Sequence, residues 1–351
     1  MGSGVSKAAA RSMGSNPAPA VRRAVIIPGA RKAGTSSLHA ALATHPGVVA
    51  GRYKETQFFA LDEGTVEANI QWYLGLFGER RETDTRTILD ASTFYLMSDR
   101  APTLIRRHVA DPRIVIVLRD PAERALAGYE YLRQRLPSPE GRTFEDIVQA
   151  LEGADPIELS RAEDEALAIA VRDHRVPARY YTESFHAEHY GAPFETRLED
   201  PLNILRYFSE SRYSEHVIRW QRALPGSVHL VAFERLIAEP SAVLSEIQEF
   251  CGLDPVPALT ELPRENPTRV ARGGVSRWIL GHTIRRAPGG LADGAVRLVR
   301  ALGIGDVLRT KVLQTRRPKL DPELRSRCRA LLDAEYAWWR KHDPSIAAWW
   351  D

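Results

Sequence analysis

The stretch AVIIPGARKAGTSSL, residues 24–38, decides the fold of this 351-residue chain. Its apolar start, residues 24–27, is typical of a buried strand, and residues 36–44 have a helix-forming composition. A glycine-rich loop therefore joins a strand to a helix. Backbone N–H groups and the positive end of the helix dipole would then face an anion.

The lysine of this loop stands in an unusual place. A Walker A loop reads G-x-x-x-x-G-K-[ST], with lysine directly after the second glycine. Gly29 and Gly34 keep that spacing, but Thr35 follows Gly34 and the lysine has moved back to Lys32. This displacement argues against an ATPase. A degenerate phosphate loop or a plain glycine-rich turn is the alternative interpretation.

The shifted loop resembles the 5′-phosphosulfate loop of sulfotransferases that use 3′-phosphoadenosine-5′-phosphosulfate (PAPS). In the carbohydrate, heparan-sulfate-like branch that loop reads roughly R-K-x-G-T-[ST]-x-L and continues to H-P. The matching positions are Arg31, Lys32, Gly34, Thr35, Ser36, Leu38, His45 and Pro46.

Three further segments resemble the same family, in the same order along the chain. KETQFF at 54–59 is similar to a K-E-x-x-F-F stretch, and IVIVLRDPAERA at 114–125 to the 3′-phosphate segment. The third runs from Tyr213 through Trp220 and the predicted strand Val228–Phe233 to EFCGL at 249–253. The resemblance covers roughly residues 22–351.

The resemblance implies a donor, a product and a set of site residues. The donor is PAPS, the product is adenosine 3′,5′-bisphosphate, and no metal is required. Lys32 would neutralise charge on the bridging oxygen, and Arg119 would pair with the 3′-phosphate in a bidentate fork. The predicted donor-binding residues are Arg31, Lys32, Ala33, Gly34, Thr35, Ser36, Arg119 and Arg272, with Arg269 as an alternative to Arg272.

An acceptor hydroxyl loses its proton as it attacks, so the reaction needs a general base. The resemblance assigns that role to Glu55, whose alternative is a simple ion pair with Lys54, Arg52 or Arg31. Asp90 is the second candidate for the base. His39 is interpreted as part of the exposed side of the first helix.

Two positions depart from the family pattern. The family carries a serine eight residues after the strand-end arginine, where this chain has Ala127. One charge-assisted hydrogen bond to the 3′-phosphate is thereby missing, of a kind that contributes roughly 1.5–3 kcal/mol. Tyr129, Tyr131 or a downstream arginine are the candidates to compensate. Ala91 stands where many animal members have lysine.

Alternating strands and helices predict an α/β fold, a phosphate-loop-type parallel sheet flanked by helices in a single domain. Lys32, Asp90 and Arg119 all lie at or just after predicted strand ends, where such sheets bind ligands. Residues 1–20 are predicted to be a disordered tail and 21–351 the sulfotransferase domain, with 136–212 as a helical and loop insertion over the acceptor cleft. A helix over Glu323–Lys341 closes the chain, and its Trp338 and Trp339 are predicted packing residues.

The amino-acid composition restricts the cellular compartment and the binding partners that we expect for this chain. A net charge of +3 argues against general nucleic-acid binding, and no apolar run reaches the roughly 20 residues of a membrane span. Residues 264–319 hold 13 Lys/Arg against three acidic residues. Such a stretch is typical of a solvated basic face or of a surface that binds an anion. Peripheral membrane contact is a further alternative. Only Cys251 and Cys328 are present, which predicts a reducing, cytoplasmic location.

Three function classes remain at this point. The first is a soluble PAPS-dependent sulfotransferase (EC 2.8.2 type) acting on a hydroxyl or amine of a carbohydrate, small-molecule or lipid-linked acceptor. The second is a nucleotide kinase or other phosphate-loop NTPase, which Thr35 disfavours. The third is a non-catalytic PAPS-fold binding protein, which Ala127 favours. The sequence specifies neither the acceptor nor the oligomeric state.

Overall fold

The computed structural model describes residues 20–78, 84–133, 140–173, 191–194, 205–257, 259–263, 269–271, 313–315 and 320–351. The predicted tail, the basic stretch apart from two short strands, and much of the predicted insertion lie outside these residues.

Five parallel strands form the central sheet. They are β1 (Val21–Ile26), β2 (Val48–Ala50), β3 (Thr87–Asp90), β4 (Val109–Leu118) and β5 (Val228–Ala232), in the spatial order β2-β3-β1-β4-β5. Residues 114–118 of β4 are fully buried, as expected for a parallel strand covered on both faces. The predicted parallel sheet is confirmed.

Helices connect the strands. In chain order they are α1 (Thr35–Leu42), α2 (Glu63–Gly75), α3 (Ala101–His108), α4 (Pro121–Arg133), α5 (Phe144–Leu151), α6 (Pro156–Arg172), α7 (Tyr213–Ala223), α8 (Phe233–Ala238) and α9 (Pro240–Phe250). Short 3₁₀ turns occupy Phe58–Ala60 and Ser209–Ser211. No helix among the described residues is long and apolar enough to cross a membrane.

The C-terminus forms three helices, α10 (Pro322–Leu331), α11 (Asp333–His342) and α12 (Pro344–Ala347). The single helix predicted over Glu323–Lys341 is therefore wrong, because Leu332 leaves helical dihedral angles (φ −117°, ψ 16°) between α10 and α11. Trp339 is fully buried, which confirms its packing role, while Trp338 is half-buried. The backbone also pairs β6 (Arg269–Ala271) with β7 (Leu313–Thr315) in an antiparallel ribbon.

Strand order places the functional loops. From β1 the chain passes through α1 to one side of the sheet, and after β3 it crosses to β4 on the other side of β1. The loops that follow β1, β3 and β4 consequently meet at the carboxyl edge near the centre of the sheet. Open α/β sheets bind ligands at such a reversal of strand order.

Candidate active site

The loop after β1 is fixed by the backbones of both neighbouring strands. The Ile27 N–H donates to the Asp90 carbonyl at 2.8 Å on the β3 side. On the β4 side, the Ala30 N–H donates to the Val117 carbonyl at 2.7 Å, and the Val117 N–H to the Gly29 carbonyl at 2.9 Å. Since hydrogen bonds on two sides hold it, the loop presents a fixed surface at the sheet edge.

Helix α1 begins at the end of this loop. Its N-cap is Gly34, which adopts a left-handed conformation (φ +85°) and has no side chain to accept from the first helical N–H groups. The Ala33 N–H already donates to the Ala30 carbonyl at 3.2 Å. The amides that could meet an anion therefore begin at Gly34 and continue through Thr35 and Ser36, in the turn where helical N–H groups lack intrahelical partners.

Lys32 and Arg119 come together beside that turn, although 87 residues separate them. The Arg119 guanidinium donates to the Lys32 carbonyl at 3.4 Å and lies over the Phe233 ring, 5.3 Å from its centroid. It also pairs with Glu123 at 3.4 Å. Burial lowers the pKa of Arg119, an effect that Glu123 opposes. The Lys32 ammonium lies 4.4 Å from the centroid of the Tyr131 ring.

Arg31 points to a different partner. Its guanidinium donates twice to Glu210 Oε2, at 2.8 and 3.2 Å. The same carboxylate accepts from Arg124, a fully buried arginine of α4 that also donates to Ser211 Oγ at 2.7 Å. Arg31 thus ties the loop to the 3₁₀ turn before α7, and its predicted contact with the donor stays a prediction.

Glu55 lies on the segment between β2 and α2, with its N–H donating to the Ala91 carbonyl at 3.1 Å. Both of its carboxylate oxygens have partners: Lys54 Nζ donates to Oε1 at 2.6 Å and Thr93 Oγ1 to Oε2 at 3.0 Å. The Glu55 side chain is 34% exposed, so a hydroxyl from outside can reach it. The carboxylate is therefore oriented and accessible.

Two alternative bases are less suited to the role. Asp90 is only 3% exposed, and it accepts hydrogen bonds on both oxygens from buried hydroxyl groups. His39 is half-buried, which corrects its assignment to an exposed helix face. Burial, aided by the positive charge of Lys54, lowers the pKa of His39 to about 4.

The model of the sulfotransferase domain matches residues 22–266, more than half of the chain.

This chain belongs to the sulfotransferase domain family.

Curated members of the family are distant relatives. Bifunctional heparan sulfate N-deacetylase/N-sulfotransferase 3 of Homo sapiens is 23% identical over 236 residues, which are 66% of this chain and 22% of that protein. Heparan sulfate glucosamine 3-O-sulfotransferase 5 of Mus musculus is 25% identical over 238 residues, 66% of this chain and 54% of that protein. The chain thus matches less than two thirds of the length of either relative.

Among solved structures, a sulfotransferase from Alicyclobacillus acidocaldarius has a similar fold. The TM-score is 0.55 at 19% identity, and the alignment covers 94% of this chain and 99% of that one. At this identity the likeness concerns the fold alone. It agrees with the parallel sheet and flanking helices described above.

Ala127, which stands where the family carries a serine, is buried on α4. The structure distinguishes the two tyrosines that are candidates to compensate for the missing hydroxyl. The Tyr129 hydroxyl is engaged elsewhere, donating to the Arg142 carbonyl at 3.0 Å and accepting from Arg133 at 2.7 Å. Tyr131, one helical turn after Ala127, is the tyrosine whose ring contacts Lys32. Of these two tyrosines, Tyr131 is the one that contacts the loop.

Sequence reasoning missed four residues that shape the site: Phe233, Glu210, Thr93 and Tyr131 as the contact of Lys32. The predicted strand ends at Phe233, whereas β5 ends at Ala232 and Phe233 begins α8. None of the four belongs to a phosphate-binding motif, and each acts through a contact distant in sequence. No local signal in the sequence could have found these contacts.

Two predictions on the site cannot be placed. Arg272, with most of the basic stretch 264–319, lies outside the described residues, and for Arg269 the structure gives only the backbone of β6. Within the described ranges there is no group of three or more His, Cys, Asp or Glu side chains that could hold a metal ion. Cys251 and Cys328 are both free and buried.

Proposed function

We propose that this protein transfers a sulfuryl group from PAPS to a hydroxyl or amine of an acceptor. The observation that carries the proposal is the junction of the β1–α1 loop, Lys32 and Arg119 at one edge of the sheet. A helix N-terminus, a lysine in the loop before it and an arginine against that loop's backbone suit a donor with phosphates at both its 3′ and 5′ positions.

The proposed chemistry needs little covalent participation by the protein. The bond from sulfur to the bridging oxygen breaks as a bond from sulfur to the acceptor oxygen forms. The Lys32 ammonium offsets the negative charge that grows on the leaving oxygen, and the acceptor proton passes to the Glu55 carboxylate. Positioning and electrostatic stabilisation supply most of the catalysis in transfers of this kind.

The two partners of Glu55 are consistent with its role as the base. Lys54 and Thr93 each donate to one oxygen, and a carboxylate oxygen has a second lone pair for an incoming hydroxyl proton. Because both contacts favour one rotamer, the carboxylate is pre-oriented. The relatives named for heparan sulfate support a carbohydrate acceptor, which we include in the proposal.

Calorimetry with adenosine 3′,5′-bisphosphate tests the donor. We expect metal-independent binding with a Kd in the micromolar range, weakened at least tenfold in Lys32→Ala. Lys341→Ala, on the exposed surface of α11, is the matched control and leaves the Kd unchanged. A preference for ATP with Mg²⁺ would instead favour the nucleotide kinase.

Transfer assays with Glu55→Gln test the base. A general base contributes roughly 10²–10⁴-fold to the rate, so kcat falls by that order while the bisphosphate Kd stays constant. Bisphosphate binding without transfer to any carbohydrate, phenol or lipid-linked alcohol in a screen would favour the non-catalytic binding protein.

A further inference from the structure

A buried carboxylate lies beneath the segment that carries Glu55. Asp90 is the last residue of β3, and burial raises its pKa while the surrounding hydroxyl groups lower it. Tyr73 and Tyr95 each donate to Asp90 Oδ2 at 2.9 Å, and Ser92 donates to Oδ1 at 2.8 Å. All four residues are at most 3% exposed, so these hydrogen bonds form away from water.

Two of the three hydroxyl groups continue the chain of hydrogen bonds to the Glu55 segment. Ser92 Oγ accepts from the Gln57 N–H at 3.1 Å, and the Tyr95 hydroxyl accepts from the Phe59 N–H at 3.2 Å. A hydroxyl group has a single hydrogen. Since the Asp90 carboxylate takes that hydrogen, each hydroxyl oxygen turns its lone pairs towards the backbone.

This segment needs such support, because Glu55 and Gln57 both adopt left-handed backbone conformations, with φ of +66° and +55°. Non-glycine residues reach that region only at a cost, and they persist there when the surroundings hold them. The Glu55 N–H donates to the Ala91 carbonyl, the Gln57 N–H to Ser92 Oγ and the Phe59 N–H to the Tyr95 hydroxyl.

We propose that Asp90, Ser92 and Tyr95, which we call the Asp90 cluster, are positioning residues for Glu55. Their hydrogen bonds hold the Glu55–Phe59 backbone in the strained conformation that presents the Glu55 carboxylate. The inference rests on the proposed function only in naming Glu55 as the base. Asp90 itself neither touches the acceptor nor takes its proton.

Tyr95→Phe and Tyr73→Phe form a matched pair for the test. Each removes one buried hydroxyl that donates to the same oxygen of Asp90 at the same distance, 2.9 Å. Only the Tyr95 hydroxyl also accepts an N–H from the Glu55 segment. A role confined to stability would give both variants the same phenotype.

Amide hydrogen exchange, donor binding and steady-state kinetics are measured on the full chain. In Tyr95→Phe we expect the Phe59 amide to exchange about tenfold faster and kcat to fall about tenfold, the effect of one lost hydrogen bond. KM for the acceptor and Kd for the bisphosphate stay within twofold. In Tyr73→Phe, the Phe59 exchange rate and kcat stay within twofold of wild type.

Equal kcat losses in the two variants, or unchanged Phe59 exchange in Tyr95→Phe, would overturn the inference. Asp90→Asn is a further variant, in which we expect faster amide exchange at both Gln57 and Phe59. If Asp90→Asn does not fold, the comparison of Tyr95→Phe with Tyr73→Phe still tests the inference. The exchange readout requires no acceptor, so it tests the cluster even if Glu55→Gln remains active and the proposed base is wrong.

Discussion

Gly34 has little room for a side chain in the β1–α1 loop. Its φ of +85° is unfavourable for residues with a side chain, and an added Cβ would meet the Phe233 ring at 2.9 Å. Because the same ring lies over Arg119, pushing it aside would disturb the predicted 3′-phosphate contact as well.

Gly34→Ala is therefore expected to weaken bisphosphate binding at least tenfold and to lower the free energy of unfolding by more than backbone strain alone. Gly153→Ala is the control, since Gly153 has a similar φ of +80° but open space where the Cβ would stand. Strain costs the control roughly 1–2 kcal/mol and leaves its Kd unchanged. Equal binding by both variants, measured by calorimetry, would contradict the steric argument.

Protonation of the single residue His39 makes the free energy of unfolding depend on pH. Its pKa is about 4 in the folded protein, and the ordinary value is 6.5. Between these values the unfolded chain binds the proton that the folded protein excludes, so this contribution to stability is complete above pH 6.5 and declines towards pH 4. The His39 imidazole beside Lys54 is therefore neutral in the folded protein at pH 7.

Urea unfolding at pH 7, 6 and 5 measures how the free energy of unfolding changes with pH. We expect His39→Gln to lose less stability than wild type as the pH falls through this range, because glutamine cannot take up the proton. Parallel curves for wild type and His39→Gln would show that burial of His39 has no effect on the proton equilibrium.

At the scale of elements, α4 is joined to the loop and to the 3₁₀ turn before α7 by buried charges. Arg124 and Arg31 share the Glu210 carboxylate, and Arg124 also donates to the Tyr207 carbonyl. Arg31 and Glu210 have side chains that are 12% and 5% exposed. Removing one partner from such a group leaves a charge without full compensation.

Arg124→Met should lower the free energy of unfolding by about 3–5 kcal/mol, the cost of breaking a buried ion pair. Arg206→Met removes a pair with Asp164, whose side chain is 48% exposed, and should cost less than about 1 kcal/mol. Urea denaturation of both variants measures the difference. Similar costs would mean that the methionine side chain fills the place of Arg124 without penalty.

At the scale of the whole molecule, the C-terminal helices support the predicted 3′-phosphate segment, although the family model matches only residues 22–266. The Tyr336 hydroxyl donates to Asp120 Oδ1 at 3.1 Å and accepts from the Ala122 N–H at 3.2 Å. Arg329 donates to the other oxygen of Asp120 at 3.3 Å. These contacts fix the start of α4, directly after Arg119.

A chain that ends at residue 320 should therefore lose cooperative unfolding and bisphosphate binding. Tyr336→Phe is the milder variant: it keeps the ring and should weaken bisphosphate binding about tenfold, the value of roughly one hydrogen bond, by loosening the segment around Arg119. Calorimetry and thermal unfolding measure both effects. A truncated chain with the wild-type melting temperature and Kd would show that the C-terminus is dispensable.

The amino-acid sequence by itself determined the parallel arrangement of the sheet and the loop after β1. The predicted strand 24–27 and helix 36–44 differ from β1 and α1 by at most three residues at their ends, and the predicted strand Val228–Phe233 is one residue longer than β5. Local signals suffice there, because apolar runs specify buried strands and glycine spacing specifies the turn between β1 and α1. The strand-end positions of Lys32, Asp90 and Arg119 follow from the same pattern.

Only the tertiary structure decided which partners these residues have. Arg31 meets Glu210 across 179 positions of sequence, and Tyr336 meets Asp120 across 216. The break at Leu332 and the enclosure of Asp90 likewise depend on what packs against them. Hydrogen bonds and burial at such separations arise from how the sheet and helices come together, and no local pattern of residues encodes them.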